Sequence, residues 1–237
     1  MEKPFYEFDL TQYESLKEEL NELYILCQNE EIYKNLIYRG VDTEFFNGEH
    51  HIMKFDSYQN LVTTYKKINE FISLNPNHQY AQLSLFGQDL SWESYPNIHE
   101  FILEKVYDIY GDLIINKFPN FDSIKKTKIG DPLPTMYKLG GFLSPHQDGK
   151  PIVPQEFTKP ANILIYLNKN YKKEYGGSFV VDGVEVLPEY GKMVFLNFKN
   201  DSDPEHSVSI VKEDINRIAL LFNATFSNTE KKIRKIL

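Results

Sequence analysis

Between positions 11 and 27 the apolar residues Leu16, Leu20, Leu23, Tyr24 and Cys27 recur three and four places apart. That spacing lines one face of an amphipathic helix, with Thr11 placed to cap its start and Glu14 three positions on. The same period returns over 57–74, where Leu61, Tyr65, Ile68, Phe71 and Ile72 share one side. It stops before Asn75-Pro76-Asn77, because the residue ahead of a proline is pushed out of the helical region. A third stripe, Ile98, Phe101, Ile102, Val106, Ile109 and Tyr110, predicts a helix over about 97–115.

From about residue 129 the period changes. Short β-rich runs follow one another at 135–139, 162–167, 178–181, 184–187, 192–198, 208–211 and 217–226, separated by Gly, Pro, Asn and Asp. Several short strands with turn chemistry between them predict a sandwich or barrel. The chain therefore divides into a mainly helical region, 1–128, that buttresses the core, a β-core at 129–229 and a C-terminal tail at 230–237. The tail is basic, from Lys231 to Lys235, and reads as a solvated helix end. There is no internal repeat and no low-complexity linker.

Composition narrows the class. The chain of 237 residues is long enough for one sizeable core, and 41% hydrophobic with 25% charged residues is ordinary for a globular protein. Aromatic residues at 14% suit a sheet, whose half-buried pleated surface accepts rings. A net charge of −8 works against general affinity for nucleic-acid backbones and anionic membranes. The single cysteine, Cys27, cannot close an internal disulfide, which fits a reducing compartment, and its apolar setting reads as a buried structural thiol. The first residues carry no basic stretch leading into an apolar run, and no segment approaches the roughly 20 apolar residues of a membrane helix. The expectation is a soluble, cytoplasmic protein. Its oligomeric state is not legible.

Chemistry concentrates in Tyr137-Lys-Leu-Gly-Gly-Phe-Leu-Ser-Pro-His146-Gln-Asp148-Gly149. On an extended chain residues i and i+2 project from one face, so His146 and Asp148 can reach one cation while Gln147 points away. A third ligand must come from elsewhere, and His206 stands 58 residues beyond Asp148 at the start of a strand-like run. Two imidazoles and one carboxylate on one side of a metal leave positions open, which suits Fe(II) binding a bidentate cosubstrate and then O₂. Eleven positions after His206 comes Arg217, in a run apolar on both faces, Ile218 to Phe222. A hairpin would set Arg217 on the strand next to His206, deeper in the same cavity. A buried arginine is costly unless it meets an anion, and its planar fork matches a carboxylate. A dicarboxylate holding iron at one end and Arg217 at the other would resolve that cost.

With these residues in place, the stretch from Thr135 to Thr229 resembles the prolyl-hydroxylase-like branch of the Fe(II)/2-oxoglutarate-dependent dioxygenases. The features that carry the likeness occur in order: Tyr137 ahead of His146-x-Asp148, the strand end Ile165-Tyr166-Leu167-Asn168, and Gly176-Gly177 before a strand. They continue with Gly191-Lys-Met-Val-Phe195, then His206-x-Val208, then Arg217. The resemblance implies an α+β protein built on a double-stranded β-helix, or jelly-roll, with N-terminal helices packed against it. It implies that His146, Asp148 and His206 hold iron, that Arg217 pairs with the far carboxylate of 2-oxoglutarate, that the Tyr166 hydroxyl helps hold that carboxylate, and that Tyr137 lines the same pocket. Strand alternation adds Asn223, on the face of Arg217, and Asn162, on the face of Tyr166, as substrate-lining candidates. Gly176 and Gly177 serve a turn or bulge, and His50, His51, His78 and His99 read as surface or satisfied residues.

The implied cofactors are Fe(II), 2-oxoglutarate and O₂, with ascorbate left open. The implied reaction is hydroxylation of an aliphatic C–H of an amino acid, free or within a protein, with release of succinate and CO₂. The carboxylate of Asp148 favours hydroxylation over halogenation, because related halogenating enzymes lack it. Two other classes stay in view: a non-catalytic jelly-roll metal- or ligand-binding protein, and a nucleic-acid demethylase. Against the second, relatives of that kind carry another arginine beyond the first, and positions 218–233 hold none.

Overall fold

The computed structural model describes residues 5–40, 51–76, 80–87, 105, 125–126, 132–147, 158–196 and 204–227. In chain order the strands among them are β1 (Phe5–Asp9), β2 (Asn35–Gly40), β3 (His51–Lys54), β4 (Tyr80–Phe86), β5 (Lys125–Lys126), β6 (Leu133–Tyr137) and β7 (Phe142–His146). Then come β8 (Thr158–Tyr166), β9 (Phe179–Val181), β10 (Val184–Val186), β11 (Lys192–Leu196), β12 (His206–Val208) and β13 (Arg217–Ser227). Among the described residues two α-helices accompany them, α1 (Lys17–Gln28) and α2 (Tyr58–Leu74). Every pairing is antiparallel. The order is β1-β11-β8-β13-β6-β4-β7-β12-β9-β10, with β2 added to β4, β3 to β2 and β5 to β13. The sheet curls so that β6 and β7, one turn apart in sequence, both pair with β4 and lead into opposite walls. This is the jelly-roll core, with α1 and α2 outside it.

Strand alternation divides the apolar residues between two cores. On β13, Ile218 and Leu220 face outward, with Ile163 and Ile165 of β8 and Met193 and Phe195 of β11. They meet Leu20 and Leu23 of α1, and Leu61, Tyr65 and Ile68 of α2. The alternate residues, Ala219, Leu164, Tyr166, Val194 and Leu196, face into the roll and meet Phe179, Val181 and Val208 from the other wall. A period of two on strands buried on both faces gives continuous apolar runs. That is why 217–222 and 162–167 were legible as buried strands.

Several expectations shift. The first helix does not start at Thr11: the Asp9 side chain accepts from the Thr11 backbone N–H at 3.0 Å and caps a 3₁₀ turn, Leu10–Gln12. A second turn, Glu14–Leu16, follows before α1 begins at Lys17. A short acidic side chain captures the backbone donors locally and delays the helix. Helix α2 begins where expected, with Ser57 Oγ accepting from Asn60 N–H at 3.3 Å. The expected helix over 97–115 lies outside the described residues except Lys105, which pairs with Glu19. The N-terminal region supplies strands as well as helices: β1, β2, β3 and β4 all join the sheet. Cys27 is buried in the outer core, and burial pushes its thiol up to about 12, as a structural residue requires. Among the described residues no helix is long and apolar enough to cross a membrane.

Candidate active site

Strand β7 ends at His146, β12 begins at His206, and the register sets the two directly opposite each other. Opposed residues of an antiparallel pair stand about 5 Å apart at Cβ. The imidazole centroids lie 4.3 Å apart with planes tilted by 54°. Each ring turns Nδ1 to a carbonyl two residues back along the chain, that of Ser144 for His146 and that of Pro204 for His206, both at 3.0 Å. An Nδ1–H donated to a carbonyl leaves the ring lone pair on Nε2, the tautomer that metal ligation uses. Asp148 lies outside the described residues. Among those described, no third His, Cys, Asp or Glu joins the two histidines.

Arg217 opens β13 and is fully buried. It stands opposite Tyr137 on β6, and its neighbour on the same face, Ala219, stands opposite Tyr166 on β8. The guanidinium carbon is accordingly 5.0 Å from the Tyr137 ring centroid and 5.1 Å from that of Tyr166. Nε donates to the Gly177 carbonyl at 3.0 Å. Nη1 and Nη2 have no hydrogen-bond partner among the described residues. A buried cation with one of its two binding edges unmatched costs several kcal/mol unless an anion completes it.

The loop that presents this carbonyl explains the two glycines. Gly176 and Gly177 adopt φ of +70° and +65°, and a Cβ at Gly176 would stand 2.0 Å from the Ile210 carbonyl oxygen. Only glycine lets the chain lie that close. On the other side, Asn168 fixes the start of β13. Its amide donates to the carbonyls of Pro188 and Ile218, and its oxygen accepts from Ile218 N–H at 2.6 Å. Arg217 is thus held at its backbone and at one edge of its guanidinium.

Both groups face one cavity of about 310 Å³. His146, His206, Arg217, Tyr137 and Asn162 line it, whereas Tyr166 lies behind the guanidinium, away from the cavity surface. Burial pushes the Tyr137 hydroxyl above the usual tyrosine range, opposed by the charge of Arg217, a hydrogen bond with Ser84 and the charge of Arg39. Burial raises Tyr166 as well, again opposed by Arg217. Both stay protonated donors at neutral pH. Asn223 stands opposite Asn162 in the β13–β8 register, which is all that is described of it.

The expected hairpin between His206 and Arg217 does not form. β12 pairs with β7 and β9, while β13 pairs with β6 and β8. Residues 209–216 instead carry the chain from one wall of the roll to the other, and the cavity between the walls brings the two side chains together.

The profile of the 2OG-Fe(II) oxygenase superfamily matches residues 133–225, from the start of β6 through most of β13. Residues 133–225 are a 2OG-Fe(II) oxygenase domain. Two solved structures share the fold. One is a prolyl hydroxylase from Trichoplax adhaerens in complex with a hypoxia-inducible-factor peptide, with 12% identity, 97% of this chain and 86% of that one covered, and a TM-score of 0.51. The other is an oxidoreductase of the 2OG-Fe(II) oxygenase family from Burkholderia pseudomallei, with 12% identity, 95% and 88% covered, and a TM-score of 0.50. None of the curated proteins matches the chain in sequence. The chain is an enzyme of the oxygenase class, and the cofactors of this superfamily are Fe(II), 2-oxoglutarate and O₂.

The donor set suits that group. Paired imidazoles with Nδ1 tied back and a guanidinium with two unmatched nitrogens match a metal at one end of the cavity and a carboxylate at the other. The oxygenase domain does not supply the whole cavity. Arg39 and Ile37 of β2 and Gln82 of β4 line it too. The sequence reading passed over them. A usable signal was present: Gln82-Leu83-Ser84-Leu85 alternates polar and apolar, the mark of a half-buried strand.

Proposed function

We propose that this chain is an Fe(II)- and 2-oxoglutarate-dependent hydroxylase acting on an aliphatic C–H of an amino acid, free or within a protein, and releasing succinate and CO₂. In this reading His146, Asp148 and His206 hold the metal, and Arg217 receives the far carboxylate of 2-oxoglutarate on Nη1 and Nη2. When bound, Fe(II) supplies the redox chemistry that joins O₂, 2-oxoglutarate and substrate, a capacity no side chain here has. The protein binds and orients. The carbonyls of Ser144 and Pro204 fix the imidazoles, Gly177 aims the guanidinium, and the Tyr137 and Tyr166 rings exclude water around it. Asn162 and Asn223 would border the substrate.

The observation that carries the proposal is the fully buried Arg217, a lining residue of the cavity that both histidines line, its two buried Nη atoms without a hydrogen-bond partner among the described residues. The test is anaerobic titration of Fe(II) and then 2-oxoglutarate, watching for the weak visible charge-transfer band. The band should form with the wild type and vanish in His146→Ala. In Arg217→Gln, 2-oxoglutarate affinity should fall about 10- to 100-fold, the loss of about 1.5–3 kcal/mol that a hydrogen bond to a charged group contributes. No band, with iron binding unchanged in His146→Ala, would end this assignment.

A further inference from the structure

Arg39 is a second arginine in the same cavity, and neither the histidine pair nor Arg217 accounts for it. Strand β2 alternates like the others: Leu36 and Tyr38 join the outer core, while Ile37 and Arg39 face inward. The register continues across the roll. Arg39 pairs with Gln82, Gln82 with Leu143, Leu143 with Val208 and Val208 with Phe179, and all five line the cavity. The next inward-facing rung on β7 and β12 is the His146–His206 pair, roughly 7 Å along the strands. Arg39 therefore lines the same cavity as the histidines, its strand two steps from β7 through β4. From β13 its strand is separated by β6 and β4, about 14 Å backbone to backbone. The two arginines stand three strands apart in one stretch of sheet, and the charge of each acts on Tyr137 between them.

The chemistry of Arg39 is unfinished. Its Nε is buried without a hydrogen-bond partner, and among the described residues no carboxylate lies within ion-pair distance of it. None of the described residues that line the cavity is acidic. On the proposed reading, Fe(II) and two arginines face Asp148 and the two carboxylates of 2-oxoglutarate, which leaves one positive charge uncompensated. A low-dielectric cavity favours an anion there. A guanidinium pairs with a carboxylate through two parallel hydrogen bonds, which also fixes its orientation.

We propose that Arg39 binds the carboxylate of a small substrate, a free amino acid or simple carboxylic acid, and presents a C–H of that molecule to the histidine end of the cavity. The proposal rests on the oxygenase reading above. Residues within a peptide lack this carboxylate, because their carbonyl is part of an amide. The inference therefore selects the free acid over the peptidyl residue.

The test is calorimetric titration of protein loaded with Mn(II) and 2-oxoglutarate. The ligands are free L-amino acids and simple carboxylic acids, their carboxamides, and an end-capped prolyl peptide. At least one free acid should bind 10-fold or more tightly than its amide. In Arg39→Gln that preference should disappear, with affinity for the acid falling about 10- to 100-fold, while Arg39→Lys keeps part of it. Affinity for 2-oxoglutarate should stay within about twofold of wild type in Arg39→Gln, which also reports a folded protein. A panel in which no acid outbinds its amide, or only the capped peptide binds, overturns the proposal. So does loss of 2-oxoglutarate in Arg39→Gln, which would give Arg39 to the cosubstrate. Failure of the wild type to bind Mn(II) and 2-oxoglutarate overturns the underlying oxygenase reading instead.

Discussion

At Gly177 the absence of a side chain decides how Arg217 is held. The residue sits at φ +65°, and a Cβ there would stand 2.8 Å from the Tyr171 hydroxyl, 3.0 Å from Val211 Cγ2 and 3.2 Å from Arg217 Cγ. Gly177→Ala combines left-handed strain with three tight contacts, one of them to the arginine itself. A loss of about 2 kcal/mol is expected. For a chain of this size that lowers Tm by about 4–8 °C. Affinity for 2-oxoglutarate should fall as well, because the Gly177 carbonyl orients the guanidinium. Thermal scanning together with titration checks both, and an unchanged Tm would mean the loop relaxes freely. The glycine pair was readable as a turn or bulge. Its reason was not, since Val211, Tyr171 and Arg217 meet it only in the folded chain.

Among the elements, α2 acts on the site from a distance. Tyr65 donates its hydroxyl to the Lys138 carbonyl at 3.0 Å, and Asn69 donates to that of Leu139 at 3.2 Å. The helix thereby clamps the turn between β6 and β7, which carry Tyr137 and His146. Its own start depends on Ser57, so Ser57→Ala should cost about 1 kcal/mol and Ser57→Gly only a few tenths. Chemical denaturation midpoints of the two variants would measure this, and equal losses would argue that the hydroxyl caps nothing. The helix was legible because its apolar stripe and its cap are local. The strands β2 and β4 escaped notice beside that stronger signal, and with them went Arg39 and Gln82. β1 pairs with β11 and likewise shows only in the assembled sheet.

For the whole molecule, one carboxylate ties four regions together. Glu30, just after α1, accepts from Asn216 at 3.1 Å and meets Lys138 at 3.4 Å, while Lys138 also reaches Tyr58 at the start of α2. Burial alone would raise Glu30, but hydrogen bonds from Asn216 and Tyr58 and the charge of Lys138 together hold it below the usual carboxylate range. A depressed native value means stability that is present above the unfolded value of about 4.3 and is lost as pH falls through the lower native one. The wild type should therefore melt above Glu30→Gln at pH 7, and the gap should close below about pH 4. The side chain is 42% exposed, so the difference should stay under about 1 kcal/mol. A gap that widens on acidification would reverse the sign and refute the argument.

Local order along the chain was enough to establish the change from helical to strand period, the buried β13 run and the spacing of His146, Asp148, His206 and Arg217. Each of these is a pattern within one segment, and side-chain alternation or helical periodicity converts it directly into a face. Tertiary structure alone decided that His206 and Arg217 lie on opposite walls and not on a hairpin. It also decided that Tyr166 stands behind the guanidinium, and that β2 and β4 bring Arg39 and Gln82 into the cavity. Those facts depend on how strands distant in sequence pair and how far the sheet curls. No single segment encodes either, because both follow from the joint burial of two apolar faces by the whole chain.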